Sequence, residues 1–296
     1  MDPEEIEAVI QRARLELYRD NLSGALEILE RGRDGRADDR LAQEMQGIRS
    51  CLAHLGSRDA YARAYEDYYR ERKARPSLKL LEREVRTLVG ARTRKMVRRY
   101  ADYPEFRLLE DEILAIRAAR VLDAGCGEGR VALTLGARHP GLRIEGVEVT
   151  ETNVRIARRL NRFPNIAFHR GFIEDAAQLL PPGSFDLAYS FAVLEHVPDV
   201  DATVGAIFAM LRPGGRLCVI VPMNEFSVTG PLPAYVPPDG IAGHVRVFTE
   251  ADLEKRFGRF PGFVVTRLPG AWRSGRYPDA IRPKEFGAYF AAFSRP

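Results

Sequence analysis

The feature that most constrains this chain is a change of rhythm near residue 120. Short β-rich runs at Arg120 to Asp123, Arg143 to Glu148, Ile166 to His169, Phe185 to Ser190 and Arg216 to Val221 alternate there with amphipathic stretches at Val131 to Ala137, Asn153 to Asn161 and Ala202 to Leu211. Strands separated by helices pair in parallel, because each crossover returns the chain to the end from which it left, and a parallel sheet needs helices on both faces. The expectation is a three-layer α/β fold. From Glu4 to about Arg117, by contrast, Leu, Ala, Glu and Arg dominate with no sustained alternating β-branched run, so this part reads as helix. Leu15, Tyr18, Leu22, Leu26 and Leu29 recur at three- and four-residue steps, with Asn21, Ser23 and Gly24 marking a turn, which predicts a helical hairpin. The division drawn is a helical N-terminal region over residues 1–100, acting as lid, substrate cover or dimerisation surface, and an α/β domain over 101–296.

The chain is long enough for a sizeable core at 296 residues, and 45% hydrophobic with 29% charged residues is an ordinary globular balance. No apolar run approaches the roughly 20 residues of a membrane-spanning helix, and the start, Met1-Asp2-Pro3-Glu4-Glu5, lacks a basic and then apolar leader, so a cytoplasmic protein off the membrane is expected. Cys51, Cys126 and Cys218 are too few and too scattered for a disulfide framework or a C-x-x-C site, and no metal is expected. The net charge of +4 rests on 40 Arg against 5 Lys, which resembles codon bias more than selected chemistry, and nucleic acid is not the expected partner. Residues 70–99 do hold twelve Arg or Lys against three Glu, a local net of +9. With Leu78, Leu81, Val85, Leu88 and Val89 interleaved, that block reads first as a solvated helix face and second as a surface for an anionic substrate or RNA.

Val121-Leu122-Asp123-Ala124-Gly125-Cys126-Gly127-Glu128-Gly129-Arg130 is a strand that ends in a glycine-rich turn and opens a helix. Glycines let a ligand approach the backbone at a helix N-terminus, whose free N–H groups are donors. No Gly-Lys-Ser/Thr follows, which excludes a P-loop, and a dinucleotide fingerprint survives only as Gly127, Gly129 and Ala132. Glu148 closes the second strand about 20 residues on, where a carboxylate can accept both ribose hydroxyls of a nucleoside. Then follow Phe185-Asp186-Leu187, Leu194-Glu195-His196-Val197 and Leu211-Arg212-Pro213-Gly214-Gly215.

In this order the D-x-G-C-G-x-G, F-D-L, L-E-H-V and L-x-P-G-G segments resemble the class I S-adenosylmethionine-dependent methyltransferases, in particular their small-molecule enzymes, over roughly residues 119–295. The resemblance implies a Rossmann-like sheet of seven strands with a terminal antiparallel hairpin, for which Phe263 to Arg267 and Ala288 to Ser294 are the natural strands. It implies S-adenosyl-L-methionine as cofactor, with Asp123, Gly125 and Gly127 around the methionine portion, Glu148 on the ribose, and Ser190 and Phe191 beside the cofactor at the end of the fourth strand. Cys126, in the turn, and Val149, after Glu148, belong to the same cofactor-binding set. The ribose carboxylate is Glu where Asp is commoner, and Phe172 stands where the family usually has an adenine-contacting Asp. Phe172, the backbone of Ile173 or Glu174 holds the adenine instead.

For the acceptor, His196 follows the fourth strand, while His244 and Arg246 end a Pro/Gly-rich insert, Met223 to Gly243, before a helix capped by Thr249. Either imidazole could take a hydroxyl proton and Arg246 could anchor an anionic group; the alternative for each is a capping or bracing role. His54, His139 and His169 read as structural, and Trp272 and Tyr277 as cover for pocket or core. The function expected is methyl transfer to an O or N atom of a small-molecule acceptor, with a homodimer formed through the N-terminal helices as one use of that region. The alternative is an RNA- or protein-directed methyltransferase, or a catalytically silent binding module using the basic block.

Overall fold

The computed structural model describes residues 3–18, 22–33, 39–55, 57–74, 91–222, 248–268 and 288–296. Among them, six helices precede the first strand: α1 Pro3–Tyr18, α2 Leu22–Arg33, α3 Asp39–Leu55, α4 Arg58–Ala74, α5 Ala91–Tyr100 and α6 Pro104–Ala115. The α/β part runs β1 Arg120–Ala124, α7 Arg130–Arg138, β2 Arg143–Glu148, α8 Glu151–Leu160, β3 Ile166–Arg170, a 3₁₀ turn Ile173–Asp175 and the short α9 Ala176–Leu179. It continues with β4 Phe185–Phe191, α10 Val200–Met210, β5 Leu211–Pro222, α11 Glu250–Phe257, β6 Val264–Leu268 and β7 Ala288–Ser294.

The seven strands form one sheet in the order β3-β2-β1-β4-β5-β7-β6, parallel except for β7, which runs antiparallel to both neighbours. The strand order reverses between β1 and β4, and at such a switch point the flanking helices leave on opposite faces and open a crevice beyond the strands' carboxyl ends. Successive residues of β1 serve opposite faces. Val121 packs with Phe106 and Leu109 of α6 and Leu133 of α7, whereas Leu122 and Ala124 pack with Val204 and Ile207 of α10 and Leu253 of α11. Both faces are therefore covered, as an all-parallel centre requires. Asp186, the acid of F-D-L, fastens β4 to β1: it accepts the N–H groups of Ala119 and Arg120 at 2.8 and 2.9 Å and the Arg212 guanidinium at 2.8 Å. Its burial alone would raise its pKa, but those bonds outweigh it and hold the carboxyl below its ordinary range. Thr249 is the N-cap of α11, completing a reciprocal capping box with Asp252, as the sequence predicts.

Helices α1 to α3 build a small core of their own from Val9, Ile10, Ala13, Ala25, Leu29, Leu41, Met45 and Ile48. The predicted hairpin is present, but α2 begins at Leu22, so Ser23 and Gly24 lie in its first turn rather than in the break. First-turn N–H groups have no intrahelical partner, so residues of low helix propensity are tolerated there. α5 packs with the sheet domain: the Thr93 hydroxyl donates to the Leu160 carbonyl at 2.9 Å, and Met96 joins the core on the α6 side. Its Arg94, Lys95 and Arg98 are exposed, as a solvated face would be; residues 75–90 of the basic block lie outside the described residues. Among the described residues, no helix is long and apolar enough to cross a membrane, and no His/Cys/Asp/Glu group could hold a metal ion.

Candidate active site

The crevice at the switch point holds a cavity of about 1220 Å³. Its floor is the turn between β1 and α7, where Gly125, Gly127 and Gly129 have φ of 87°, 51° and 72°. The N–H groups of Gly125 and Cys126 both donate to the Val147 carbonyl, at 2.9 and 3.0 Å, which fixes the turn against β2. A Cβ at Gly129 would come within 2.5 Å of the Phe168 ring, and one at Gly125 would run into Val193. At Gly127 nothing lies within 4 Å, so this glycine leaves open space on the cavity lining.

Glu148, at the end of β2, is buried on the same wall and accepts the Gly127 N–H at 3.0 Å, the Thr150 N–H at 2.9 Å and the Thr150 hydroxyl at 2.7 Å. Burial pushes its pKa up, and those donors pull the other way. Asp123, at the end of β1, accepts the Tyr189 hydroxyl at 2.7 Å. Burial, helped by the nearby Glu148 and opposed by Tyr189, pushes its carboxyl up to about 7. Asn153 on α8 is 1% exposed, lines the cavity, and has no partner for its Oδ1.

The wall facing the sheet comes from α4. Glu66 accepts the N–H and hydroxyl of Thr152 in the first turn of α8, at 3.1 and 2.5 Å, and Arg58 pairs with Asp175 at 2.6 Å while its guanidinium stands 4.1 Å above the Phe172 ring. Tyr61 and Tyr65, between these two clasps, and Tyr69, one turn past Tyr65, line the cavity. Tyr65 meets the His196 ring edge-on, with centroids 5.7 Å apart. At the glycine-turn end, Tyr100 and Tyr103 pack with centroids 5.0 Å apart, Arg130 donates to the Tyr100 hydroxyl at 3.2 Å and pairs with Glu128 at 2.9 Å, and Arg99 donates to the Tyr103 hydroxyl at 2.9 Å.

Of the residues expected from sequence, Asp123, Gly125, Cys126, Gly127, Glu148, Val149, Phe172, Ile173, Phe191 and His196 all line this one cavity. Ser190 does not: it is fully buried and its hydroxyl donates to the Ala124 carbonyl at 3.0 Å, because alternate residues of β4 face opposite sides and this one faces into the sheet's packing. His244, Arg246, Trp272, Tyr277 and the insert lie outside the described residues, as does the side chain of His54. His139 and His169 pair with Glu110 and Glu145 at 2.7 and 2.8 Å and are not on the cavity lining. Sequence reasoning missed the α4 tyrosines, although their four-residue spacing puts them on one helical face; nothing in that spacing says which surface the face covers.

A glycine turn opening a helix at the switch point of a parallel sheet, with a buried carboxylate one strand over, defines a nucleoside-binding α/β crevice. The Methyltransferase domain family matches residues 89–268, more than half of the chain, and the chain belongs to that family. Among curated relatives, the trans-aconitate 2-methyltransferase of Deinococcus radiodurans is 36% identical over 107 residues, covering 36% of this chain and 39% of that protein. A ubiquinone biosynthesis O-methyltransferase of Pseudomonas fluorescens is 30% identical over 109 residues, covering 36% and 46%. An S-adenosyl-L-methionine-dependent Diels-Alderase of Talaromyces variabilis is 34% identical over 122 residues, covering 38% and 41%. The chain thus spans less than half the length of these relatives. Over 63% of this chain it is similar to the crystal structure of TehB from Haemophilus influenzae, covering 60% of that chain at 17% identity and a TM-score of 0.48.

The cofactor that membership of this family implies is S-adenosyl-L-methionine. The residues present fit it: space beside Gly127, an unpartnered Asn153 oxygen, a buried carboxylate at the end of β2 and a cavity larger than the about 300–1,000 Å³ usual for one ligand.

Proposed function

We propose that the protein transfers a methyl group from S-adenosyl-L-methionine to an O or N atom of a small-molecule acceptor. The observation that carries this reading is the convergence of ten residues from four separated segments on one cavity at the carboxyl ends of β1, β2, β3 and β4. When bound, the cofactor supplies both the electrophilic methyl and its thioether leaving group, so the chain's own work is binding, alignment and the exclusion of water.

In this reading the turn from Asp123 to Gly127, with Cys126 inside it, receives the methionine portion, and Glu148 and Val149 receive the ribose. Glu148 already braces the turn through Gly127, so ribose binding and turn geometry are coupled through one carboxylate. Phe172 and Ile173 flank the adenine, with Arg58 over the Phe172 ring. Phe191 borders the cofactor at the end of β4. His196 is the base that takes the acceptor's proton, beside the Tyr65 ring on the same lining. His244 and Arg246 complete the acceptor side. The α/β domain over 101–296 carries the chemistry and residues 1–100 the cover, with α1 to α3 available to pair two subunits. The names of two curated relatives, for trans-aconitate and for ubiquinone biosynthesis, support a small-molecule acceptor.

The test is titration calorimetry with S-adenosylhomocysteine followed by a metabolite screen in which cofactor-dependent mass increase is the readout. Saturable binding and a methylated product are expected. No heat with either sulfur nucleoside would falsify the reading.

A further inference from the structure

Outside the cofactor motifs, the most distinctive surface is the face that α4 turns to the cavity. Tyr61, Tyr65 and Tyr69 sit one helical turn apart on it, with successive ring centroids 4.8 and 6.2 Å apart, and the His196 ring stands at 75° to the middle one. Resting on the methyltransferase reading above, we infer that the acceptor is a cationic amine, held as its ammonium against this tyrosine wall.

Three observations converge. Aromatic faces attract cations, and the attraction grows when the cation is desolvated. Away from the cofactor floor the lining is also acidic: it carries Glu105, Glu174 and Asp199 against Arg99, while Arg58 and Arg130 are paired with Asp175 and Glu128. The negative potential reaches the wall, where burial and then Glu148 and Glu174 push the Tyr61 hydroxyl far above its ordinary pKa, keeping the ring neutral. Finally, outside the cofactor floor a buried oxygen on the lining, Glu105 Oε2, has no partner. A buried carboxylate oxygen is satisfied by a ligand rich in N–H or O–H donors. A polycarboxylate or phosphate would add to the net negative charge here, and a neutral phenol would leave that charge uncompensated.

The chemistry balances. The ammonium first gives its proton to His196. The freed nitrogen lone pair then forms the N–CH₃ bond as the S–CH₃ bond breaks, with that electron pair remaining on sulfur. The positive charge moves to nitrogen, facing the tyrosines, and the proton on His196 passes to water.

The experiment uses the full chain saturated with S-adenosylhomocysteine, whose neutral thioether leaves the acceptor space open. Choline and 3,3-dimethylbutan-1-ol have the same shape and differ by a quaternary nitrogen against a carbon. Calorimetry should show choline binding at least tenfold more tightly. Tyr65→Leu should erase that preference and Tyr65→Phe, which keeps the π face, should retain it. Tyr69→Leu, at a half-buried position, gives the same comparison if Tyr65→Leu does not fold. Equal affinity for the two probes, tighter binding of the alcohol, or no saturation by choline overturns the inference. So does a Tyr65→Leu variant that keeps its choline affinity but loses tenfold for S-adenosylmethionine relative to S-adenosylhomocysteine, since the wall would then serve the sulfonium. Failure of S-adenosylhomocysteine to bind in the first step brings down the methyltransferase reading itself, and so is distinct from these results.

Discussion

Replacing Asp123 by Asn should stabilise the ligand-free protein, and the gain should depend on pH in a defined way. Burial raises this carboxyl from the 3.8 of a solvated aspartate to about 7. The folded state therefore holds the proton more tightly than the unfolded chain does. The favourable contribution is complete below about 3.8, declines as pH rises, and is gone once pH passes about 7. Each pH unit between those limits is worth about 1.4 kcal/mol, so ionising Asp123 in the folded protein costs about 4 kcal/mol in all. Asn has no proton to lose, and its carbonyl oxygen can still accept the Tyr189 hydroxyl. Urea denaturation of both proteins at pH 5, 6, 7 and 8 isolates the effect, because titrations common to the two cancel in the difference. The advantage of Asp123→Asn should be about 1.5 kcal/mol at pH 5, widen by about 1.4 kcal/mol per unit to pH 7 and level off near 4 kcal/mol at pH 8. A difference that does not change with pH, or a variant less stable than the parent at pH 8, would show that the carboxyl is not held protonated by its surroundings.

Glu148→Ala removes the acceptor of the Gly127 and Thr150 N–H groups, and S-adenosylhomocysteine affinity measured by calorimetry should fall by about 1–3 kcal/mol; unchanged affinity would take Glu148 out of the ribose site. Gly129→Ala combines a φ of 72° with a Cβ 2.5 Å from the Phe168 ring, and should lower urea stability by about 1–3 kcal/mol. Gly125→Val should destabilise the fold as well as block binding, because its side chain would run into Val193 at a φ of 87°; a variant as stable as the parent would contradict the packing described. Glu66→Ala opens the clasp on Thr152 and should speed amide hydrogen exchange along α4 while leaving the β4 amides protected; equal exchange in both proteins would mean that the clasp contributes nothing. His196→Ala should cut turnover by about 10²- to 10⁴-fold with little change in cofactor affinity; full turnover would leave alignment alone as the mechanism.

Most of the sheet was legible because its signals are local. β-rich runs, glycine turns and helix caps each act within a few residues, and the first five strands fall within a few residues of where those signals put them, β5 starting earlier at Leu211, while β6 and β7 lie where the family resemblance put them. The floor of the cavity was legible for the same reason, since a strand, a glycine turn and a helix opening are contiguous. Ser190 shows where locality fails: one step along β4 separates a residue inside the packing from one on the cavity, and the motif alone does not say which face is which. The α4 wall was illegible for a stronger reason. Tyr61, Tyr65 and Tyr69 form an apolar stripe like any other until α4 is docked, and its partners Thr152 and Asp175 lie 86 and 117 residues away from Glu66 and Arg58.

The way α4 is attached has a consequence for how such a catalyst can change its substrate. The cofactor floor belongs to the sheet, whereas the facing wall belongs to a helix that comes before β1 and is tied down by two polar contacts near the cavity rim. Substitutions at 61, 65 and 69 would therefore redraw what the chamber accepts without disturbing the strands, and a different helix carrying Arg and Glu eight residues apart could be seated on the same two anchors. Choice of substrate and handling of the methyl donor are, in this architecture, interchangeable parts.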